Sequence, residues 1–131
     1  MDIRLLRGAE IVPHIADLAC LRITVFRAFP YMYDGHFDYE SRYLDTSVLS
    51  ADSLCVLMLD EARVVGPSTA LPLADETVEF QQPFVAAGWE VAKIFYFGES
   101  LLLPAYRGLG LGVRFFAERE AAKVEGVGKE V

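Results

Sequence analysis

Apolar residues recur along this chain at spacings that predict strands alternating with helices. A short first strand spans Ile3 to Leu6, and Gly8 ends it. The run from Ser53 to Asp60 is almost continuously apolar, which is typical of a central strand covered on both faces. A turn at Asp60-Glu61-Ala62 leads into the next strand, Arg63 to Leu71. The first half of the chain therefore supplies three predicted strands.

Glycine and proline interrupt two of the predicted strands. Gly66 and Pro67 indicate a bulge or an irregular edge in the strand that ends at Leu71. A further apolar run, Ile94 to Leu103, predicts another strand, and Gly98 in its interior indicates a bulge. We therefore expect the backbone to leave regular pairing at both places.

Apolar spacings of three and four residues predict two helices in the first half of the chain. The first begins near Pro13 and ends before Pro30, because a residue that precedes proline avoids the helical region. Its inward positions are Ile15, Leu18, Leu21, Arg22, Val25 and Phe26. The second helix is capped by Asp38 and extends to about Leu49. Its inward positions are Tyr43, Leu44 and Val48.

Two more helices are predicted in the second half. A polar loop from Ala74 to Glu79 precedes a short helix, Gln82 to Trp89, which Gly88 stops. The last helix runs from Val113 to Val124 with one apolar face. That face is predicted to contain Val113, Phe116, Ala117, Ala121 and Val124.

The composition indicates one folded domain that spans the chain. It has 131 residues, of which 53% are apolar, and such a chain can bury a sizeable core. No apolar run approaches the roughly 20 residues that cross a bilayer. The first residues, Met1 to Arg4, lack the apolar segment of a signal peptide. We therefore expect a cytoplasmic protein without a membrane partner.

Charge and cysteine content remove two further classes of function. The net charge of −7 argues against nucleic-acid binding, which requires a basic face, and is compatible with a cationic acceptor. Cys20 and Cys55 form no C-x-x-C pair, and only His14 and His36 could join them as ligands. We expect no metal site and interpret both cysteines as buried apolar residues.

The segment Arg107-Gly108-Leu109-Gly110-Leu111-Gly112 is the strongest chemical signal of the chain. It follows a predicted strand and Pro104 and opens the last helix. The first N–H groups of a helix have no partner inside it, and the helix dipole adds partial positive charge there. Glycines let a ligand approach that backbone closely. The segment therefore predicts an anion cradle, and the alternative is a glycine-rich turn that only caps the helix.

The spacing of these glycines separates three phosphate-binding patterns. Val113 and Arg114 follow Gly112 where a Walker loop needs lysine and serine or threonine. The G-x-G-x-G spacing also departs from the dinucleotide fingerprint G-x-G-x-x-G. The third pattern, Arg-x-x-Gly-x-Gly after a strand and a proline, resembles the acyl-CoA loop of the GCN5-related N-acetyltransferases (the GNAT superfamily).

This resemblance extends to most of the chain. Residues Leu101 to Gly112 resemble the fourth strand and pyrophosphate loop of that superfamily, and Arg4-Leu5-Leu6 with the helix from Asp17 to Phe29 resembles its first strand and helix. The resemblance implies an α/β (α+β) domain over residues 1–131, with a mixed, mostly antiparallel sheet and helices on both faces. It also implies that the fold is C-terminally truncated, because the usual closing strand-helix-strand portion has no counterpart here.

The resemblance implies a site for acetyl-CoA as co-substrate. Arg107 and the backbone N–H groups of Gly108, Leu109, Gly110, Leu111 and Gly112 would hold the pyrophosphate. The backbone of Leu101, Leu102 and Leu103 would bind the pantetheine like an added strand. The N–H of Leu102, or of a neighbour, would hold the developing oxyanion. The alternative for the three leucines is plain core packing.

Glu99 is the candidate catalytic residue. Acetyl transfer to an amine needs a neutral nitrogen, so a base or a water relay must remove a proton. Glu99 is the one acidic residue inside the run from Ile94 to Leu103, and members of the superfamily often place a catalytic glutamate on this strand. Burial among apolar residues would raise its pKa. The alternative is that Glu99 pairs with an arginine such as Arg107 or Arg114.

The loop between the first two helices is the candidate acceptor site. Tyr31, Tyr33 and Asp34 are aromatic and acidic, and the corresponding loop of the superfamily commonly lines the acceptor pocket. An amine could lie against the rings with Asp34 as its counter-ion. The alternative is a surface loop whose rings cover the sheet edge.

Three hypotheses follow. The first is an N-acetyltransferase that moves an acetyl group from acetyl-CoA to a small-molecule amine by direct attack. The second is an impaired or truncated module that acts through CoA binding or self-association, in which the strand from Ile94 to Leu103 is an open edge that pairs in a homodimer. The third is that the 131 residues are part of a longer chain.

Overall fold

The computed structural model describes residues 1–27 and 36–122 and the backbone of residues 129–130. Its centre is a sheet in the order β1-β2-β3-β4-β5. The first four strands pair antiparallel, and β5 pairs parallel with β4. The strands are β1 (Asp2–Leu6), β2 (Leu54–Asp60), β3 (Arg63–Pro72), β4 (Ile94–Ser100) and β5 (Lys129–Glu130). The prediction of a mixed, mostly antiparallel sheet is confirmed.

The fifth strand was not expected. Lys129 and Glu130 pair with Ile94 and Phe95, whereas the sequence analysis placed no strand after the last helix. A two-residue polar strand carries no alternation of apolar and polar positions, so its sequence does not distinguish it from a loop.

Helices cover both faces of the sheet, as predicted. A 3₁₀ segment (Gly8–His14) leads into α1 (Ile15–Arg27), which is followed by α2 (Phe37–Tyr43) and α3 (Asp45–Leu49). A connection with a further helix, α4 (Val78–Ala86), joins β3 to β4, and α5 (Leu111–Ala122) follows β4. None of the described helices is long and apolar enough to cross a membrane.

The central strand β2 explains why two cores form. Its side chains alternate between the faces of the sheet, as in any strand. On one face, Leu54, Val56, Met58 and Phe95 pack against Leu111 and Phe115 of α5. On the other face, Leu6, Cys55, Leu57 and Leu59 pack against Ile11, Leu18 and Leu44 of the first helical segments. The continuous apolar run in β2 is therefore buried on both sides.

The predicted second helix is in fact two short helices. Asp38 lies inside α2 rather than at its cap, which is His36, and the chain bends between α2 and α3 at Leu44. Leu44 is buried, whereas Tyr43 is 38% exposed. The bend lets Leu44 enter the core while it leaves Tyr43 at the margin of the cavity described below.

The helix between β3 and β4 begins earlier than predicted, at Val78 instead of Gln82. The carbonyl of Thr77 accepts bonds from the N–H groups of Phe80 and Gln81, and the Gln81 side chain donates to the Glu76 carbonyl at 2.9 Å. These bonds start the helix inside the stretch that was predicted to be a loop.

The predicted apolar face of the last helix is wrong. The helix begins at Leu111, and its buried positions are Leu111, Phe115 and Arg119, four residues apart. Val113 and Phe116 are 75% and 51% exposed. The prediction missed this face because it left Leu111 in the glycine segment and because Arg119 is charged, so the spacing of apolar residues alone favoured a neighbouring face.

Candidate functional site

A bulge in β4 sets the direction of Glu99. Between the pairs Ala70–Phe97 and Ser68–Ser100, β4 advances three residues while β3 advances two. The extra residue lies at Gly98–Glu99, so the bulge predicted from Gly98 is confirmed. A Cβ on Gly98 would lie 2.7 Å from the Thr69 hydroxyl oxygen, which accepts the Glu99 N–H at 3.0 Å. Glycine is required here because the threonine hydroxyl occupies the side-chain position.

Beyond the bulge, Leu101 to Leu103 continues alongside β3. The Leu101 N–H donates to the Pro67 carbonyl at 2.9 Å, and the Leu103 N–H donates to the Val65 carbonyl at 3.0 Å. Gly66 allows this approach, because a Cβ there would lie 2.3 Å from the Leu101 oxygen. Strand N–H groups alternate in direction. The Leu102 N–H therefore faces away from β3, where no described residue accepts it.

The glycine segment is an open loop at the start of α5. Gly108 and Gly110 both have φ of +78°, a conformation that favours glycine. A Cβ on Gly108, Gly110 or Gly112 would meet no atom within 4 Å. Within the described part of the chain, the N–H groups of residues 108–113 have no hydrogen-bond acceptor. Unpaired N–H groups at a helix start attract an anion.

Two side chains fix this loop to the sheet. The Arg107 Nε donates to the Leu102 carbonyl at 3.2 Å, and the Tyr106 hydroxyl donates to an Asp60 carboxylate oxygen at 2.6 Å. The exposed Arg107 guanidinium thus lies beside both the loop and the strand that carries the unpaired N–H. A ligand that followed the open edge of β4 would reach this guanidinium and the loop in turn.

Glu99 is paired with an arginine, but not with either candidate from the sequence. Its carboxylate contacts the Arg22 guanidinium of α1 and accepts the Tyr43 hydroxyl at 3.3 Å. The Arg22 Nε also donates to Glu40 at 2.5 Å, and the Arg22 and Glu40 side chains are 7% and 2% exposed. The Glu99 side chain is 29% exposed. Arg22 thus holds a buried carboxylate on one side and an accessible one on the other.

Tyr43 adds an aromatic wall to this cluster. Its ring lies 4.0 Å from the Arg22 guanidinium carbon, within the range of a cation–π contact. Burial raises the pKa of Tyr43, the Arg22 charge opposes that shift, and the Glu76 carboxylate adds to it. The net shift is upward, so the phenol keeps its proton at neutral pH and donates to Glu99.

Glu99 opens into a cavity of about 800 Å³ between the first three helices and strands β3 and β4. Volumes of this order hold small-molecule ligands in other proteins. Its polar and aromatic lining includes Arg22, Arg42, Tyr43, Thr69, Glu76, Phe80, Tyr96 and Glu99. Among the described side chains, no group of three or more His, Cys, Asp or Glu could hold a metal ion. The cavity can therefore offer charge and hydrogen bonds to an organic ligand.

A buried arginine connects α5 to the bulge. Arg119 is 8% exposed, donates to the Thr69 carbonyl at 3.3 Å and lies 4.4 Å from the Phe97 ring centre. Burial lowers its pKa. The helix that begins at the glycine loop thus also contacts the residue whose hydroxyl fixes the Glu99 backbone.

The structure brings Glu99, Leu101 to Leu103 and the glycine loop together along one strand and its continuation. Tyr31, Tyr33 and Asp34, the predicted acceptor residues, lie outside the described residues. Sequence reasoning missed Glu40, Glu76 and Tyr96 as parts of the site. The inward position of Arg22 on α1 was the available signal, because a buried arginine needs a partner.

No family model matches the sequence, and no curated protein matches it. Solved structures do match its fold. The aminoglycoside N-acetyltransferase AAC(6')-Iy in complex with CoA has a TM-score of 0.65 and 14% identity, over 98% of this chain and 72% of that chain. An integron cassette protein from the mobile metagenome of V. cholerae has a TM-score of 0.63 and 14% identity, over 99% and 73%. A GNAT family acetyltransferase from Brucella melitensis, in complex with acetyl-CoA, has a TM-score of 0.54 and 16% identity, over 92% and 67%.

Proposed function

We propose that this chain, which has the fold of the GNAT acetyltransferases, transfers an acetyl group from acetyl-CoA to an amine. One observation carries the proposal. The open glycine loop, the unpaired Leu102 N–H and the Glu99 carboxylate lie in sequence along β4 and its continuation into α5. An anion site, an oxyanion donor and a carboxylate in a cavity are the parts that acetyl transfer to an amine needs.

The loop and the strand edge fit acetyl-CoA. Open space at Gly108, Gly110 and Gly112 leaves the backbone N–H groups accessible to a pyrophosphate, and Arg107 adds a positive charge beside them. The Leu102 N–H is free to bind an amide of the pantetheine arm or the thioester oxygen. The structures of AAC(6')-Iy with CoA and of the Brucella melitensis protein with acetyl-CoA support this choice of co-substrate.

Glu99 is the proposed proton acceptor. An alkyl ammonium binds to its carboxylate in the cavity and gives up one proton, to Glu99 or through a water molecule, before the neutral nitrogen attacks the acetyl carbon. The carbon–nitrogen bond forms while the carbon–sulfur bond of the thioester breaks, and CoA leaves as a thiolate. The nitrogen releases its second proton, and the thiolate takes up a proton from solvent water. Because Arg22 keeps the Glu40 carboxylate as a partner, the partly accessible Glu99 carboxylate is the one that an incoming cation can share.

The cysteines support direct attack rather than a covalent enzyme intermediate. Cys55 borders the cavity, but burial raises its pKa to about 12. A thiol attacks as its thiolate, and almost none of this form exists at neutral pH with such a pKa. Cys20, which was predicted to be buried, is exposed on α1 and does not line the cavity. The amine is therefore the nucleophile in our proposal.

Isothermal calorimetry with acetyl-CoA tests the proposed loop. The wild type is expected to bind, and a Gly110→Trp variant to lose binding, because the indole fills the open space over the loop. Gly88→Trp is the matched control, since Gly88 also has positive φ (+83°) and nothing near its side-chain position, but it ends α4. Equal binding by all three proteins, or none by the wild type, would refute the assignment.

The same edge supports a second candidate, a homodimer. From Tyr96 to Leu103, no described strand pairs with β4 on the side away from β3, and β5 covers only Ile94 and Phe95. Such an edge can pair with a second copy. It would then be blocked for pantetheine, so a dimer formed in this way must dissociate when acetyl-CoA is added. Light scattering after size exclusion, with and without acetyl-CoA, measures this; a mass that acetyl-CoA leaves unchanged argues against edge pairing.

A further inference from the structure

The cavity holds a second carboxylate that the proposed reaction does not use. Glu76 lies in the connection between β3 and β4, is half-buried and lines the same cavity as Glu99. One of its carboxylate oxygens accepts the Thr77 N–H at 3.0 Å. No Lys or Arg within the described ranges forms an ion pair with it. A half-buried carboxylate without a cation can accept one from a ligand.

The aromatic rings of Tyr43 and Tyr96 line the same cavity as this carboxylate. Burial is the main cause that raises the pKa values of both phenols, and the negative charge of Glu76 raises both further. Tyr96 in turn packs against Phe80, with ring centres 6.1 Å apart. Rings around a carboxylate form a favourable site for an organic cation.

The inference rests on the proposed function. We propose that Glu76, with the rings of Tyr43 and Tyr96, binds a second ammonium group of the acceptor while Glu99 receives the ammonium that is acetylated. The acceptor class is therefore a molecule with at least two ammonium groups, and Glu76 determines specificity for it. The volume of about 800 Å³ leaves room for a molecule that spans both carboxylates.

The two arginines that line the cavity also affect which acceptors can bind. Arg22 is already shared by Glu40 and Glu99, whereas the exposed Arg42 also lines the cavity. Arg42 would repel a second ammonium or, in a competing arrangement, attract a carboxylate of the acceptor. The probes must therefore compare a diamine with an amino acid of the same length.

The experiment compares three probes that share a chain of four carbons: 1,4-diaminobutane, n-butylamine and 4-aminobutanoate. Release of the CoA thiol measures kcat and KM for each. We expect the wild type to prefer the diamine over the monoamine by about tenfold or more in kcat/KM, as one charge-assisted hydrogen bond provides. Glu76→Gln should bring that ratio close to one through KM, because the introduced amide keeps an oxygen for the Thr77 N–H and so retains the local fold.

Two controls complete the design. Glu79→Gln removes an exposed carboxylate of α4 that does not line the cavity, and should keep the diamine preference. Arg42→Gln should increase it. A wild type that prefers 4-aminobutanoate, or a diamine preference that survives in Glu76→Gln, overturns the inference.

Binding without acetyl-CoA separates this inference from the proposed function. Saturation-transfer NMR measures binding of 1,4-diaminobutane to the wild type and to Glu76→Gln. Binding that depends on Glu76 but is followed by no thiol release supports the cation site and refutes acetyl transfer. Acetyl transfer to n-butylamine, without any advantage for the diamine, would support acetyl transfer and refute the cation site at Glu76.

Discussion

Arg22 of α1 contacts the carboxylate of Glu99 at the β4 bulge, 77 positions later in the chain. Arg22 is buried, and its second partner, Glu40, is buried more deeply than Glu99. One guanidinium therefore fixes α1, α2 and β4 around the entrance to the cavity. The buried pair of Arg22 with Glu40 bears on the stability of the fold, whereas the accessible pair with Glu99 bears on the proposed reaction.

Replacement of Arg22 by methionine should destabilise the protein strongly. The variant leaves Glu40 buried without a counter-ion, and breaking a buried pair in this way costs about 3–5 kcal/mol. Urea unfolding measures the difference. Lys93→Met is the control, because it breaks a pair with Glu90 in which both side chains are about 70% exposed, and such pairs contribute about 0–1 kcal/mol. Equal losses in the two variants would contradict a buried ion-pair role.

Replacement of Glu99 by glutamine should lower kcat without weakening acetyl-CoA binding. The introduced amide cannot accept the proton of the ammonium, and loss of a general base costs roughly 10²–10⁴ in rate. Steady-state kinetics with a primary amine gives kcat, and calorimetry gives the affinity for acetyl-CoA. Glu79→Gln serves as the control for loss of one negative charge. A Glu99→Gln enzyme with the wild-type rate would exclude Glu99 as the proton acceptor.

The sequence predicts the first four strands of this fold and the bulge at its site, for local reasons. Glycine occurs at position 98 of the bulge because the Thr69 hydroxyl lies where a side chain would be. Glycine occurs at position 66 because the Leu101 carbonyl approaches the backbone there. Glycine at such positions is visible in a single sequence, since few other residues fit. The glycines of the loop are visible for the same reason.

Contacts between distant residues could not be predicted in this way. The partner of Glu99 is Arg22, whereas the sequence offered Arg107 and Arg114, which are closer along the chain. The choice depends on where α1 lies across the sheet, and this is a property of the packed core. Glu76 does lie in the predicted loop, but nothing local in the sequence shows that this loop lines the same cavity as Tyr96.

Replacement of Gly112 by alanine should move stability and binding in opposite directions. Gly112 is helical with open space at its side-chain position, so alanine should stabilise the folded protein by about 0.5–1 kcal/mol. The added methyl group lies over the loop and should weaken acetyl-CoA binding roughly tenfold, or about 1.4 kcal/mol. Thermal unfolding and calorimetry measure the two effects.

The control for Gly112→Ala is Gly88→Ala at the end of α4. Gly88 has φ of +83°, so alanine there should cost about 1–2 kcal/mol of stability and leave acetyl-CoA binding unchanged. A Gly112→Ala variant that is more stable and binds acetyl-CoA normally would show that the loop does not hold the ligand.

The buried Cys55 thiol should make the protein less stable at alkaline pH. Burial raises its pKa from 9.0 to about 12, so between these values the folded state binds a proton that the unfolded state has lost. The contribution of Cys55 to the free energy of unfolding is therefore highest below pH 9 and falls as the pH rises toward 12, with a slope that approaches about 1.4 kcal/mol per pH unit. Urea unfolding at about pH 8.5, 9.5 and 10 gives the slope, and Cys55→Ala should reduce it.

The exposed Cys20 is the internal control, because Cys20→Ala should leave the pH dependence of the unfolding free energy unchanged. A slope that is the same in Cys55→Ala and the wild type would contradict the burial of this thiol.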